Sequence, residues 1–173
     1  MSVLSVRQLG LEDTEASRAL RLEALRDFPE AFGGDYAEEA KWPVSEFCRR
    51  LQSRTVLGGF MGDTLAGSLS LGEGSGKMAH RGFVAGVYVT PAAQGGGLAQ
   101  MIWDRTVDLA RARGVQQLEL CVSEDSPRAV AFYRRQGCEE IGRVPRALCV
   151  GGRYIAELQL VLPLSLETPR PAG

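Results

Sequence analysis

A glycine-rich turn between an apolar stretch and an amphipathic stretch is a candidate anion site. Its residues are Gln94-Gly95-Gly96-Gly97, and a helix is predicted to open directly after them at Leu98. The first turn of a helix leaves backbone N–H groups without intrahelical acceptors, and the helix dipole adds positive charge there. Glycines let the backbone approach an anion closely because they lack a Cβ atom. The turn is therefore suited to bind a phosphate.

The turn must be held by the elements on either side of it. Phe83–Val89 is an apolar run that predicts a strand, and Thr90-Pro91 ends that run. From Leu98 to about Arg113, apolar residues follow one side of a predicted helix, and Gly114 predicts its end. A strand followed by glycines and a helix start is the order that presents backbone amides to a ligand.

The whole chain predicts one α/β domain over residues 1–163. The predicted order is β-α-α-β-β-β-α-β-α-β-β, and no repeat or low-complexity linker divides it. The other predicted strands are Ser5–Leu9, Thr55–Met61, Thr64–Leu71, Gln117–Val122, Cys138–Arg143 and Arg153–Leu162. The other predicted helices are Glu12–Asp27, one that begins at Pro43 and one between Ser126 and Gly137, with an irregular segment over Phe28–Ala40. We expect residues 164–173 to form a flexible tail.

Composition argues against several classes of function. The formal net charge is -1, so the chain lacks the basic footprint of a nucleic-acid binder. No apolar run approaches the roughly 20 residues of a membrane span, and the first residues lack the pattern of a signal peptide, which predicts a cytoplasmic protein. Four scattered cysteines and a single histidine, His80, predict free buried thiols and no metal site.

Two familiar phosphate-binding motifs fail at the turn. A P-loop requires Gly-Lys-Ser/Thr, whereas Gly97 is followed by Leu98-Ala99. A dinucleotide fingerprint requires G-x-G-x-x-G, and Gln100 stands where the third glycine should be. Nucleotide hydrolysis and nicotinamide chemistry are therefore disfavoured.

A different phosphate-binding motif fits better. Gln94-Gly95-Gly96-Gly97-Leu98-Ala99 resembles the Q/R-x-x-G-x-G/A signature of the GNAT superfamily of N-acetyltransferases, and Val87-Tyr88-Val89-Thr90-Pro91 is similar to the strand that precedes it there. A second segment, Ala129 to Cys138, resembles the family's A-x-x-F/L-Y-x-x-x-G-F pattern. The family often has asparagine where Ser126 stands and an aromatic residue where Cys138 stands. These two departures concern the fine positioning of the pantetheine arm of the family's coenzyme A cofactor.

This resemblance implies a fold and an acyl donor. The fold would be a mixed, mostly antiparallel sheet of about seven strands flanked by about four helices and splayed between its fourth and fifth strands. Gly86 is a candidate for the bulge at which that divergence begins. The donor would be acetyl-CoA, without a metal. The residues implied to bind it are Val87, Tyr88, Val89, Gln94, Gly95, Gly96, Gly97, Leu98, Ala99, Gln100, Ser126, Ala129 and Phe132.

The resemblance also implies that Tyr133 is the general acid that protonates the leaving thiolate, although its position alone fits a core aromatic equally well. No carboxylate lies on Phe83–Val89, so the general base stays open between a water relay and several side chains. Those side chains are Glu23, Asp35, Glu38, Glu39, Glu119 and His80. We expect the acceptor to be chosen by Phe28–Trp42 and by the hairpin over Pro145–Arg153. An acidic, aromatic loop of this kind suits a cationic amine, and a plain solvated surface loop explains it equally well.

The sequence predicts an N-acetyltransferase that acts on a primary amine of a small molecule, an antibiotic or a peptide N-terminus. Two other functions stay open. One is a CoA-binding sensor or structural subunit without turnover, suggested by the missing strand carboxylate and by Ser126; the other is a nucleotide-dependent oxidoreductase. Apolar positions on the first helix and the terminal strands would tolerate a homodimer.

Overall fold

Seven strands form one sheet in the computed structural model, which describes residues 3–164. The strands are β1 (Leu4–Gln8), β2 (Thr55–Met61), β3 (Thr64–Glu73), β4 (Arg81–Val89), β5 (Gln117–Ser123), β6 (Glu139–Val150) and β7 (Arg153–Pro163). Their order across the sheet is β1-β2-β3-β4-β5-β7-β6. Every neighbouring pair is antiparallel except β4 and β5, which run parallel. The predicted mixed, mostly antiparallel sheet of seven strands is confirmed, whereas nearly all of the predicted tail over 164–173 lies outside the described residues.

Five α-helices accompany the sheet in the described part of the chain. They are α1 (Thr14–Asp27), α2 (Tyr36–Glu39), α3 (Val44–Ser53), α4 (Leu98–Ala112) and α5 (Pro127–Arg135). The prediction of an irregular segment over Phe28–Ala40 missed α2. This helix is a single turn, too short to show a helical period, and the Asp35 carboxylate caps it by accepting a hydrogen bond from the Glu38 N–H at 3.0 Å.

The sixth strand is longer than predicted. The sequence indicated an end at Arg143, but β6 continues to Val150 and pairs with β7 throughout, with register shifts between Glu140 and Gly142 and between Val144 and Leu148. Pro145 lies within the second irregularity. A proline is tolerated there because β6 is the edge strand of the sheet, with no partner on its outer side among residues 3–164.

The helices divide between the two faces of the sheet. On one face, Leu98, Ile102 and Trp103 of α4 are buried in the main core, together with Val130 and Tyr133 of α5. On the other face, Leu20 and Ala24 of α1 pack against Tyr88, and α3 contributes Leu51 to a small cluster with Leu9 and Phe60. On this second face α1 and α3 cover β2 to β4, and only the short Pro29–Ala31 segment lies against β5 and β6, so the part formed by β5, β7 and β6 is less enclosed.

The parallel pair β4–β5 is short. Only three register pairs join the two strands, from Arg81↔Gln117 to Phe83↔Glu119. Beyond Phe83 the strands diverge, as predicted. On its other side β4 carries one extra residue relative to β3, because Ser68 pairs with Tyr88 while Ser70 pairs with Ala85. Gly86 lies in this bulge with φ +59°, so the predicted position of the bulge is confirmed, although pairing with β5 already ends at Phe83.

The four cysteines are free, but the expectation that all are buried was wrong. Cys138 is buried and Cys48 is half-buried, whereas Cys121 and Cys149 are exposed. Cys121 follows Leu120 in β5 and therefore faces the opposite side of the sheet, where the helices leave the strand uncovered. Strand alternation rather than residue type decides its exposure.

Candidate active site

The glycine-rich turn presents a row of unused backbone donors. From Gly95 to Gln100, six consecutive N–H groups donate to no acceptor among residues 3–164, and no side chain caps α4. The first intrahelical bond runs from the Met101 N–H to the Gly97 carbonyl at 3.0 Å. Exposed amides at the positive end of a 15-residue helix can bind a diphosphate without further positive charge.

The backbone of the turn requires glycine. Gly95 and Gly97 have φ values of +79° and +90°, in the region that L-residues rarely adopt. A Cβ atom built at either position meets no other atom within 4 Å, so the space beside these amides is open. The turn therefore fits the pyrophosphate that the sequence predicted, both in its donors and in its free volume.

Two side-chain bridges join this turn to α5. Gln94 donates to the Val89 carbonyl at 3.2 Å and accepts a hydrogen bond from Arg128 at 2.9 Å. Gln100 and Gln136 pair through their amides at 2.9 and 2.8 Å. Gln94 and Gln100 thus hold the two predicted motifs side by side, although their own amides are already engaged.

The predicted cofactor residues of β4 and α4 contribute mainly backbone. At Val87, Tyr88 and Val89, no strand in the described part of the chain lies beside β4 on the β5 side, so that edge is free to pair with an extended ligand. The Tyr88 side chain is buried toward α1 instead. Leu98 is fully buried in the core and Ala99 is half-buried, so these two residues offer their N–H groups rather than their side chains.

Tyr133 lies deeper than expected for an acid beside a ligand. Its ring is 5% exposed and packs edge-on against Trp103 and Phe132, with centroid distances of 5.6 and 5.5 Å. Burial raises its pKa above the usual value. The hydroxyl makes no hydrogen bond within residues 3–164, so it is available to a ligand. Ala129 and Phe132, on the same helix, are half-buried.

Ser126 occupies the N-cap position of α5, as predicted, but its hydroxyl does not cap the helix. Its φ and ψ of -115° and 65° differ from the extended backbone of a typical N-cap. Pro127 at the first helical position lacks the N–H that would otherwise need a partner there. The Ser126 hydroxyl therefore remains available to a ligand.

An open cavity of about 780 Å³ lies on the α1–α3 face, where β4 and β5 diverge. Ala85 and Gly86 line it from β4, and Glu119 and Cys121 line it from β5. Phe32, in the loop between α1 and α2, contributes to the wall. The segment over Phe28–Trp42 therefore reaches this cavity through Phe32, whereas Tyr133 belongs to the core on the α4–α5 face.

Most of the predicted general bases are engaged elsewhere. Glu39 is buried between Arg21 and Arg50 at 2.9 and 3.1 Å. Burial favours its neutral form, but the two guanidiniums outweigh burial and hold its pKa below the usual value. Hydrogen bonds from Arg81, at 2.5 and 2.6 Å, likewise lower the pKa of Glu119. Both carboxylates stay ionised and paired, so neither suits a base.

The remaining candidates are also poorly placed. Glu23 accepts a hydrogen bond from the Tyr88 hydroxyl, and Asp35 caps α2. Glu38 is exposed on that helix, and His80 is exposed just before β4, at the end where β4 and β5 are still paired. The acidic residues of the Phe28–Trp42 loop are therefore used mainly in local structure.

One cavity carboxylate was absent from the sequence-based candidates. Glu157 lines the cavity from β7, and burial raises its pKa. It is the single charged residue between Tyr154 and Leu162, a strand that is otherwise largely apolar. A carboxylate inside such a strand was the available signal, but strand pairing was needed to show which site it faces.

Comparison with known proteins decides the family. The model of the acetyltransferase (GNAT) family matches residues 19–138, which include the turn, the splayed strand and Tyr133. The chain belongs to this family. The matched residues include the unpartnered amides of Gly95–Gln100.

Individual relatives agree with this assignment. A 49-residue stretch is 47% identical to the mycothiol acetyltransferase of Beutenbergia cavernae, covering 28% of this chain and 16% of that protein. The structure of yncA, a putative acetyltransferase from Salmonella typhimurium with its cofactor acetyl-CoA, superposes with a TM-score of 0.81 at 20% identity, over 99% of this chain and 100% of that one. The ribosomal-protein-S18-alanine N-acetyltransferase of Escherichia coli superposes with a TM-score of 0.76 at 16% identity, over 99% of this chain and 100% of that one. At these identities the two structures share the fold of the GNAT chain.

Neither a metal cluster nor a membrane-spanning helix is found within residues 3–164. No group of three or more histidine, cysteine or acidic side chains there could hold a metal ion. None of the helices in that range is both long and apolar enough to span a membrane.

Proposed function

We propose that this protein transfers the acetyl group of acetyl-CoA to a primary amine by direct attack in a ternary complex. The observation that carries the proposal is the row of six unpartnered amides from Gly95 to Gln100, next to a free strand edge. Acetyl-CoA supplies an activated acyl group together with a diphosphate that these amides can hold. The relatives include a mycothiol acetyltransferase and a ribosomal-protein-S18-alanine N-acetyltransferase, so small-molecule and peptide amines are both reasonable acceptors.

Different groups of the protein would bind acetyl-CoA, stabilise the oxyanion and protonate the leaving thiolate. The amides of Gly95–Gln100 would bind the diphosphate, and the free edge of β4 from Val87 to Val89 would hold the extended arm by strand addition. A backbone N–H on the same edge would stabilise the oxyanion that forms during attack. Tyr133 would donate a proton to the leaving thiolate, and its raised pKa keeps it protonated at neutral pH. Ser126, Ala129 and Phe132 would flank the arm from α5. A cytoplasmic location and a homodimer remain predictions from the sequence.

A pair of matched variants tests the diphosphate site. Gly97→Ala adds a methyl group beside the amides, and Gly114→Ala adds one at the other end of α4, also at a positive φ and in open space. Both should lose similar stability, about 1 kcal/mol. We expect the Kd for acetyl-CoA, measured by calorimetry, to rise at least tenfold in Gly97→Ala and to stay within twofold in Gly114→Ala.

Turnover is measured separately, as thiol release from acetyl-CoA with a panel of primary amines. Release above the amine-free background supports the proposal. Tight binding of acetyl-CoA without release for any amine would instead support a CoA-binding protein without turnover. Equal affinities of Gly97→Ala and wild type would contradict the assignment of the turn, and thermal stabilisation by NAD but not by CoA would favour an oxidoreductase.

A further inference from the structure

Glu157 occupies a defined place across the gap from the splayed strand. It is in register with Ser123 of β5, four residues beyond Glu119, the last β5 residue that pairs with β4. Residues in register share a face of the sheet, so Glu157 faces the same side as Glu119 and Cys121. All three line the cavity that also contains Ala85 and Gly86. The carboxylate is thus in the cavity that borders the β4 bulge.

This carboxylate has no partner within residues 3–164: it forms neither a hydrogen bond nor an ion pair there. The other cavity carboxylate, Glu119, accepts hydrogen bonds from Arg81 and from Gln117. Partly buried carboxylates are normally paired because burial of an isolated charge costs free energy. A cavity-facing carboxylate without a partner is therefore suited to a cationic ligand.

The charges around Glu157 limit that ligand further. The charged groups lining the cavity are Arg21, Arg50, Arg54 and Arg81 from the helix side and β4, with Glu119 and Glu157 from β5 and β7. Arg81 is neutralised by Glu119, but Arg21 and Arg50 share the single carboxylate of Glu39. The helix side of the cavity consequently carries excess positive charge, which would repel a second cationic group on an acceptor.

We infer that Glu157 binds the acceptor's ammonium group and removes its proton, so that it acts as the general base for singly charged primary amines. This inference rests on the proposed function. Glu157 takes one proton from R–NH₃⁺, and the nitrogen lone pair then forms the C–N bond to the acetyl carbon. The C–S bond breaks, its electron pair leaves on the sulfur, and the second nitrogen proton neutralises the thiolate by way of the acid. Glu157 then returns its proton to solvent.

The surroundings of Glu157 suit this role. Partial burial raises its pKa, so the carboxylate is a stronger base than a solvated glutamate. Its charge also contributes to raising the pKa of Cys121, after burial, which indicates that the two groups are close. The Cys121 thiol is therefore kept protonated and does not compete as a nucleophile.

The test compares Glu157→Gln with Glu140→Gln, an exposed carboxylate on the neighbouring strand β6 that lies outside the cavity. Both variants should bind acetyl-CoA within twofold of wild type and melt within about 2 °C of it. With 2-phenylethylamine and alanine amide as acceptors, kcat/KM should fall about 100-fold in Glu157→Gln and stay unchanged in Glu140→Gln. Spermidine should be a poor acceptor for wild type. Glu157→Asp should restore part of the lost rate.

The pH profile separates a base from a structural residue. Wild-type kcat/KM should decrease toward low pH as Glu157 is protonated, and this acid limb should disappear in Glu157→Gln. A Glu157→Gln rate within threefold of wild type, with the acid limb intact, would overturn the inference. Amine binding to wild type and to Glu157→Gln is also measured by calorimetry, with and without CoA. Equal amine affinities of the two proteins would overturn the inference, and so would the absence of amine binding to wild type. Loss of acetyl-CoA binding in wild type would instead overturn the proposed function.

Discussion

The Tyr88 hydroxyl donates a hydrogen bond to Glu23 Oε1 at 2.8 Å and so ties the splayed strand β4 to helix α1. The Tyr88 ring is 7% exposed and is flanked by Phe28 and Phe32, with centroid distances of 5.8 and 6.3 Å. Burial and the neighbouring Glu23 carboxylate raise the pKa of Tyr88. The tie thus joins the strand predicted to bind the donor to the loop predicted to choose the acceptor.

Tyr88→Phe should loosen the acceptor side without harming the donor side. The substitution keeps the packed ring and the β4 backbone but removes one hydrogen bond to a charged group, at a cost of about 1 kcal/mol. We expect the acceptor KM to rise several-fold while the Kd for acetyl-CoA changes less than twofold. Urea unfolding measures the stability, steady-state kinetics the acceptor KM, and calorimetry the Kd for acetyl-CoA. Tyr154→Phe, at an exposed tyrosine on β7, is the control.

Glu39→Gln should destabilise the protein and weaken the pH dependence of its free energy of unfolding. Glu39 is 3% exposed and joins Arg21 of α1 to Arg50 of α3, so its loss leaves two guanidiniums facing a neutral amide. We expect a decrease of about 3 kcal/mol in the free energy of unfolding at pH 7. Glu38→Gln, at the adjacent exposed position, should change it by less than about 0.5 kcal/mol.

The sign of that pH dependence follows from the lowered pKa of Glu39. A carboxyl group with a lower pKa when folded stabilises the protein fully above its unfolded pKa of about 4.3 and loses this contribution as the pH falls below it. Urea midpoints measured from pH 7 to pH 3 should therefore converge for wild type and Glu39→Gln. A constant difference across this range would show that the ion pairs do not carry the effect.

Tyr133→Phe tests the proposed acid. If the hydroxyl protonates the thiolate, kcat should fall about 100-fold while the Kd for acetyl-CoA and the melting temperature stay close to wild type. Because burial places the pKa of Tyr133 above its usual value, wild-type kcat should show no basic limb from this residue up to pH 9. An unchanged kcat would leave Tyr133 as a core aromatic packed on Trp103.

Gly86→Ala tests whether the bulge opens the gap. Gly86 and Gly62 both have φ +59°, and at neither position would an added Cβ meet an atom closer than 4 Å. The variants Gly86→Ala and Gly62→Ala should each lose about 1 kcal/mol of stability because alanine is strained at this φ. We expect Gly86→Ala alone to weaken acetyl-CoA binding and to lower kcat, because relief of the strain would shift the bulge and straighten β4. Equal kinetics for the two variants would show that the bulge is not needed for activity.

The sequence by itself determined the elements and the donor side of the site. Apolar periodicity, together with glycines at Gly97, Gly114 and Gly137, located most strands and helices to within a few residues, because these signals are local; α2 and the second half of β6 were the exceptions. The strands predicted over Thr55–Met61 and Thr64–Leu71 pair with each other as β2 and β3. The glycine-rich turn and its row of free amides were equally predictable, because they depend on consecutive backbone groups rather than on distant side chains.

Only the tertiary structure decided the acceptor side. Glu119 and Glu39 were candidate bases by residue type, but pairing with arginines distant in the chain made them structural. Glu157 became a candidate because antiparallel pairing of β5 with β7 brings it into the cavity opened by the divergence of β4. Whether a carboxylate is paired or available depends on neighbours far away in the chain, and composition and local periodicity carry no information about those neighbours.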